Sequence, residues 1–254
     1  MRVQYYDINI VKYGRDYRVT YLRRSVSDSF HLRDEDEDED EVKDYDKVGD
    51  RFSSSVSRAK NAILGYGKCN DWDYFVTFTL DRFKYDRYDL GRWRKDFSQY
   101  IRNQRKLRGY DLQYLLIPER HKDGAWHMHG LMSGIPWDDL SKFDVAKHPL
   151  KLVQLGYRYY PGITDKFGFN SFGKLRNRDA ASAYCLKYAG KGFALQDMDA
   201  GTHLYYASHG LKKPEKILDS QYGCYLTVPD FQNEFCAISW IDEAEYKRIA
   251  RYLG

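Results

Sequence analysis

Apolar and polar positions change period several times along this chain, and each change marks an element. VQYYDINIV and YRVTYL, within residues 3–22, are rich in β-branched and aromatic residues and are separated by Tyr13-Gly14-Arg15-Asp16, which predicts a β-hairpin with a glycine in its turn. Val56, Ala59, Ile63 and Leu64 fall at helical spacing, so a helix is predicted from Ser53 to Leu64 with Gly65 to stop it. DYFVTFTL, Asp73 to Leu80, has no Gly or Pro and reads as a central strand. Leu90, Trp93, Phe97, Tyr100, Ile101 and Leu107 then form the apolar stripe of a helix. LQYLLIPE and WHMHGLM predict two more strands joined by residues 120–125, followed by a looser region from Pro136 to Lys174. Asp179 to Gly192 reads as a helix with an Asp N-cap and glycines at its end. YLTVPD with FCAISWI predicts a last hairpin, and a closing helix starts at Asp242.

Composition bounds what these elements can build. With 254 residues, 43% of them hydrophobic and 17% aromatic, the chain can bury a sizeable core as one domain or one domain with appendages. It has no apolar run of about 18 residues, and MRVQYYDINIVKYGRD lacks the apolar stretch of a secretory signal, so a soluble, cytoplasmic protein without a membrane partner is expected. Cys69, Cys185, Cys224 and Cys236 are too dispersed for a zinc knuckle and too few for a disulfide framework, which leaves reduced, mostly structural thiols.

Charge changes the picture more. The net +4 includes DEDEDEDE at 34–41, eight acids in a row, so the rest of the chain carries +12 and suits a polyanion such as nucleic acid. The acidic run predicts a self-repelling, disordered loop over about 33–46, with a nucleic-acid mimic that shields the basic surface as the other reading. Between Arg82 and Arg108 stand ten Lys or Arg against three Asp. Arg92, Arg94, Lys95, Arg102 and Arg105 on that helix, with Lys174 and Arg176 further on, are the candidate phosphate contacts; a solvated helix face accounts for them equally well.

GAWHMHGLM, Gly124 to Met132, carries the chemistry. Residues two apart in a strand share a face, so His127 and His129 project together about 7 Å apart and can converge on one cation. If Lys122-Asp123-Gly124 form a three-residue turn with Gly124 left-handed, Glu119 lies opposite His127. Glu, His and His make a mixed O/N site that suits Mn²⁺ or Mg²⁺ with bound phosphate better than closed structural zinc; His121 is a rival ligand. Two histidines that are merely hydrogen-bonded would have the same spacing. Further on, Tyr184, Lys187, Tyr188 and Lys191 form one helical stripe, opposite Cys185, Leu186, Ala189 and Phe193. A phenol is a poor nucleophile near neutral pH unless nearby cations favour its ionisation or a metal activates its target.

FVTFTL, the hairpin from Glu119 to His127-Met128-His129, and YxxKYxxK at 184–191 stand in the order of the three motifs of HUH endonucleases, and the chain resembles that superfamily over about residues 72–215. The tyrosine pair is similar to the two-tyrosine branch of rolling-circle replication initiators, the Rep proteins of bacterial phages and plasmids. The resemblance implies an α+β fold, a central antiparallel sheet flanked by helices, related to RNA-recognition and ferredoxin-like modules. It implies an endonuclease core over 66–215, leaving 1–65 as a hairpin, acidic loop and helix and 216–254 as a hairpin and helix packed on the core. It implies His127, His129 and Glu119 as ligands of Mn²⁺ or Mg²⁺, Tyr184 as the nucleophile that leaves a 5′-phosphotyrosyl enzyme and a free 3′-OH, Lys187 and Lys191 beside the phosphate, and Tyr188 as the second nucleophile. Single-stranded DNA at an origin is the implied substrate. No GxxxxGK[ST] stretch occurs in the sequence, so a host helicase and polymerase are expected partners. A non-catalytic single-strand-binding module and a transposase or relaxase of the same superfamily are the alternatives.

Overall fold

The computed structural model describes residues 6–23, 45–177, 182, 185–187, 203–222 and 224–253. They form two antiparallel sheets with helices, in two compact units: Ser54–Lys212, and Met1–Ser53 together with Lys213–Gly254. The expected α+β class holds, with two sheets where one was foreseen.

The smaller unit begins with β1 (Tyr6–Tyr13) and β2 (Asp16–Arg23), paired as the predicted hairpin around Gly14 at φ 66°. Its other strands come from the far end of the sequence: β10 (Glu215–Tyr222) pairs with β1, and β12 (Cys236–Ile241) with β2. Segments that the sequence reading assigned to separate parts of the chain therefore share one sheet. Ile8, Ile10, Tyr17, Val19 and Tyr21 from the hairpin bury with Ala237 and with Ile249 of the closing helix, Glu243–Leu253. The predicted YLTVPD strand does not form; Phe231–Gln232 (β11) pairs with β12 instead. Thr227 bonds Tyr21 at 2.8 Å and Ser239 at 2.6 Å, so this stretch is held by side chains rather than by a ladder. The acidic run 34–41 lies outside the described residues; the helix that follows starts at Tyr45, inside the limit expected for the loop.

That helix, α1 (Tyr45–Cys69), runs past Gly65, where the sequence predicted a stop. A mid-helix glycine costs only about 0.5–1 kcal/mol, which the packing of Ala59, Ile63 and Tyr66 outweighs. The larger unit's sheet has the order β6-β7-β8-β3-β5-β4-β9. At its centre are β3 (Tyr74–Leu80), β5 (Trp126–Ser133) and β4 (Gln113–Arg120), flanked by β8 (Gly168–Lys174) and β7 (Arg158–Tyr159), with two-residue edges β6 (Ser141–Lys142) and β9 (Tyr206–Ala207). One face packs on α2 (Leu90–Arg108): Trp93, Phe97 and Ile101 bury against Val76, Phe78, Leu116 and Met128. Asp89 caps α2, its Oδ1 accepting the Arg92 N–H at 2.8 Å. Leu107, read as the end of the apolar stripe, is instead 75% exposed. The opposite face carries Leu115, Ile117 and Leu131, packed with Ala59 and Ile63 of α1 and with Cys185.

Candidate active site

Alternation along β5 sends Trp126 and Met128 into the α2 core and leaves His127 and His129 on the other face. The β4–β5 turn is the predicted one: the His121 N–H donates to Ala125 O at 2.8 Å, Gly124 sits at φ 84°, and Glu119 pairs with His127 in register. Gly130, after the histidines, is demanded by a close approach; a Cβ there would stand 1.9 Å from the Leu115 carbonyl oxygen.

β3 completes the site. Thr77 pairs with His129 and Thr79 with His127, and their hydroxyls lie 3.1 and 3.2 Å from the two Nδ1 atoms. Each ring is thereby oriented through Nδ1, which leaves Nε2 as the nitrogen suited to a cation. Nε2 of His129 is 2.8 Å from Oε2 of Glu119, a contact only 12% and 27% exposed on its two sides. Burial is the first cause that lowers the His127 pKa, and the His121 ring stacked on it at 5.0 Å adds to the shift. A neutral imidazole is the form that binds metal. One carboxylate oxygen and two imidazole nitrogens fit a hard or borderline divalent ion. Among the described residues, though, no three His, Cys, Asp or Glu side chains are drawn together as a ready metal cluster. His121, the rival ligand, is 60% exposed on its side chain with Nδ1 3.4 Å from Asp123.

Cys185 and Leu186, which follow β8 in sequence, pack on this same face. Ser182 is buried and a Cβ on Gly67 of α1 would meet its Oγ at 2.8 Å. Cys185 is buried, with its thiol pushed up to about 12 by that burial, and Leu186 is partly buried, as the apolar stripe predicts. Lys187 is exposed. Tyr184, Tyr188 and Lys191 lie outside the described residues.

The basic residues do not gather here. Arg92, Arg94, Lys95 and Arg102 are exposed on α2, which covers the opposite face of the sheet. Arg92 lies 3.8 Å from Asp96, and Arg94 3.2 Å from Nε2 of His203. Arg105 is half-buried and donates to the Leu112 carbonyl at 3.1 Å, tying α2 to the start of β4. Lys174 pairs with Tyr74 at the far end of β3 and stacks over Trp137 at 4.5 Å, and exposed Arg176 follows it. Sequence reasoning missed Thr77 and Thr79; their signal was the period of two in FVTFTL, readable only once β3 is known to lie beside β5.

No helix among the described residues is long and apolar enough to cross a membrane. No curated protein and no solved structure matches the chain. Residues 73–193, from the threonine strand through the histidine hairpin to the YxxKYxxK segment, match the model of a family of replication-associated proteins, the one that includes the ORF2 type, and it is this family that the centre of the chain resembles.

Proposed function

We propose that the protein initiates replication by nicking single-stranded DNA at an origin, as a tyrosine nuclease of the HUH type. The observation that carries this reading is the pair of threonine-held imidazoles with Glu119, on the sheet face where Cys185 and Leu186 pack, within a region similar to replication-associated proteins. His127 and His129 would hold Mn²⁺ or Mg²⁺ through Nε2, with a Glu119 oxygen as third ligand. When bound, the ion supplies Lewis-acid polarisation of the scissile phosphate.

The chain's own groups do the rest. The Tyr184 oxygen attacks phosphorus and gives up its proton; the bond from phosphorus to O3′ breaks and O3′ takes up a proton. The 5′-phosphate stays on the tyrosine, and the free 3′-OH is a primer for a host polymerase behind a host helicase. Lys187 and Lys191 offset the charge of phosphate and phenolate. Tyr188 attacks the next strand in termination.

A second reading, single-strand binding without chemistry, draws on the contact between Glu119 and His129, which engages two of the three ligands with each other. Fluorescent single-stranded DNA from the protein's own replicon, incubated with Mn²⁺ or EDTA and run on a denaturing protein gel, separates the two. A Mn²⁺-dependent labelled protein band that vanishes in the Tyr184→Phe, Tyr188→Phe double variant is expected. DNA bound on a native gel with no covalent band under either condition would establish the binding module instead. Of the single variants, Tyr184→Phe should lose initial cleavage and Tyr188→Phe mainly strand transfer.

A further inference from the structure

The connection from β3 to α2, residues 81–89, contains one tripeptide pattern twice: Asp81-Arg82-Phe83 and Asp86-Arg87-Tyr88. The two copies share two side-chain contacts. In each, the aspartate Oδ1 accepts the N–H of the aromatic residue two positions on, at 2.9 Å. In each, the arginine guanidinium lies over that aromatic ring, 4.6 Å from the Phe83 centroid and 5.6 Å from that of Tyr88. The backbone between them is held as well, since the Lys84 and Tyr85 N–H groups both donate to Asp81 O and Trp126 donates to Arg87 O and Tyr88 O. Tyr88 also touches the histidine hairpin at its turn, where a Cβ on Gly124 would be 3.6 Å from the ring.

What this scaffold displays is bare aromatic surface. Phe83 is 83% exposed and Tyr88 57%. A single exposed phenyl needs no explanation, but a repeated, hydrogen-bonded support for two of them does. Asp81 and Asp86 spend an oxygen on the loop's own N–H groups, while Arg82 and Arg87 stand over the rings; Arg87 also pairs with Asp123 at 3.1 Å, and Lys84 donates to the Thr164 carbonyl at 3.1 Å. Flat π-faces alternating with cations suit a chain of bases joined by phosphates better than an apolar protein surface. The position fits too. Phe83 follows Thr79, which holds His127, by four residues, and so lies within about 14 Å of it along the chain.

We propose that the two Asp-Arg-aromatic units are paired ledges for single-stranded DNA beside the candidate active site, Phe83 and Tyr88 each stacking one base and Arg82 and Arg87 meeting the adjoining phosphates. This rests on the reading that the substrate is single-stranded DNA. The test is fluorescence anisotropy of a short, mixed-sequence, fluorescein-labelled single strand in EDTA, with the wild-type chain and with Phe83→Ala, Tyr88→Ala and Phe83→Trp. Loss of a stacked base predicts binding weaker by roughly 5- to 100-fold for each alanine variant, with Phe83→Trp close to wild type. Because Phe83 is exposed, its removal leaves the melting temperature unchanged, so it decides the matter even if Tyr88→Ala loosens the hairpin. Wild-type affinity in Phe83→Ala, or equal loss in Phe83→Trp, overturns the ledges. The covalent-adduct gel on the same proteins keeps the two readings apart: binding that depends on the rings without an adduct sinks the nickase alone, and an adduct with ring-independent binding sinks the ledges alone. A wild-type chain that binds no single strand sinks both.

Discussion

Among the described histidines, His127 and His129 are set apart by the threonines that hold their Nδ1 atoms. Removing such an outer partner from a metal-binding imidazole costs about 10- to 100-fold in metal affinity or activity. Thr79→Val should lower Mn²⁺-dependent adduct formation by that amount, where His127→Ala abolishes it. Titration follows from the same surroundings. The His127 pKa is lowered on folding by burial and by His121, so as pH falls the unfolded chain takes up this proton first. The group's contribution to stability is full above the ordinary histidine value of about 6.5 and is lost as pH drops below it. The ring NMR signals of His127 should titrate below 6.5, and His121→Ala should raise the midpoint; a midpoint unmoved by that substitution would remove His121 as a cause. Glu119 opposite His127 was legible in the sequence because hairpin register is decided by the turn between them. The threonines were not, because their strand is about fifty residues away in sequence.

At the scale of elements, the contact between Gly67 of α1 and Ser182, two residues before Tyr184 in sequence, is the joint that matters for the proposed chemistry. Gly67 lets Ser182 approach so closely that even one added carbon would stand 2.8 Å from its hydroxyl. Gly67→Val should therefore displace the segment. Adduct formation is expected to fall at least tenfold, a displacement of about 1 Å costing up to 100-fold, while single-strand binding stays near wild type. A variant that keeps full cleavage would show that this joint does not position the nucleophile. The periodicity of α2 was plain in the sequence, and its basic face invited a phosphate assignment. The sheet lies between α2 and the histidines, however, so Arg92, Arg94, Lys95 and Arg102 are exposed on the side of the sheet away from them, and Arg105 donates to the Leu112 carbonyl.

Over the whole molecule, the eight acids at 34–41 separate a net +4 from a remainder of +12. Affinity for DNA depends on neutralised phosphates and falls with salt. Replacing the run by Ser and Asn should strengthen single-strand binding at low salt and steepen its decline as salt rises, as measured by anisotropy. Unchanged affinity would show that the run does not screen the basic surface. The two units also show how far apart in sequence a sheet can be assembled: β1 pairs with β10 across some two hundred residues. No local pattern specifies such a partner, since any strand with a matching apolar face satisfies the same alternation.

By itself, the sequence determined what is local: periods of two and 3.6 mark the strands and helices, Gly124 sets the turn, and the turn sets Glu119 against His127. Only the tertiary structure decided which strand flanks the histidines, which helix covers which face, and which hairpin the C-terminal strands join. Alternation says that a strand has two faces without saying what covers either. That choice is made by burial between residues distant in the chain, as with Cys185 against Leu131 on one face and Trp93 against Met128 on the other.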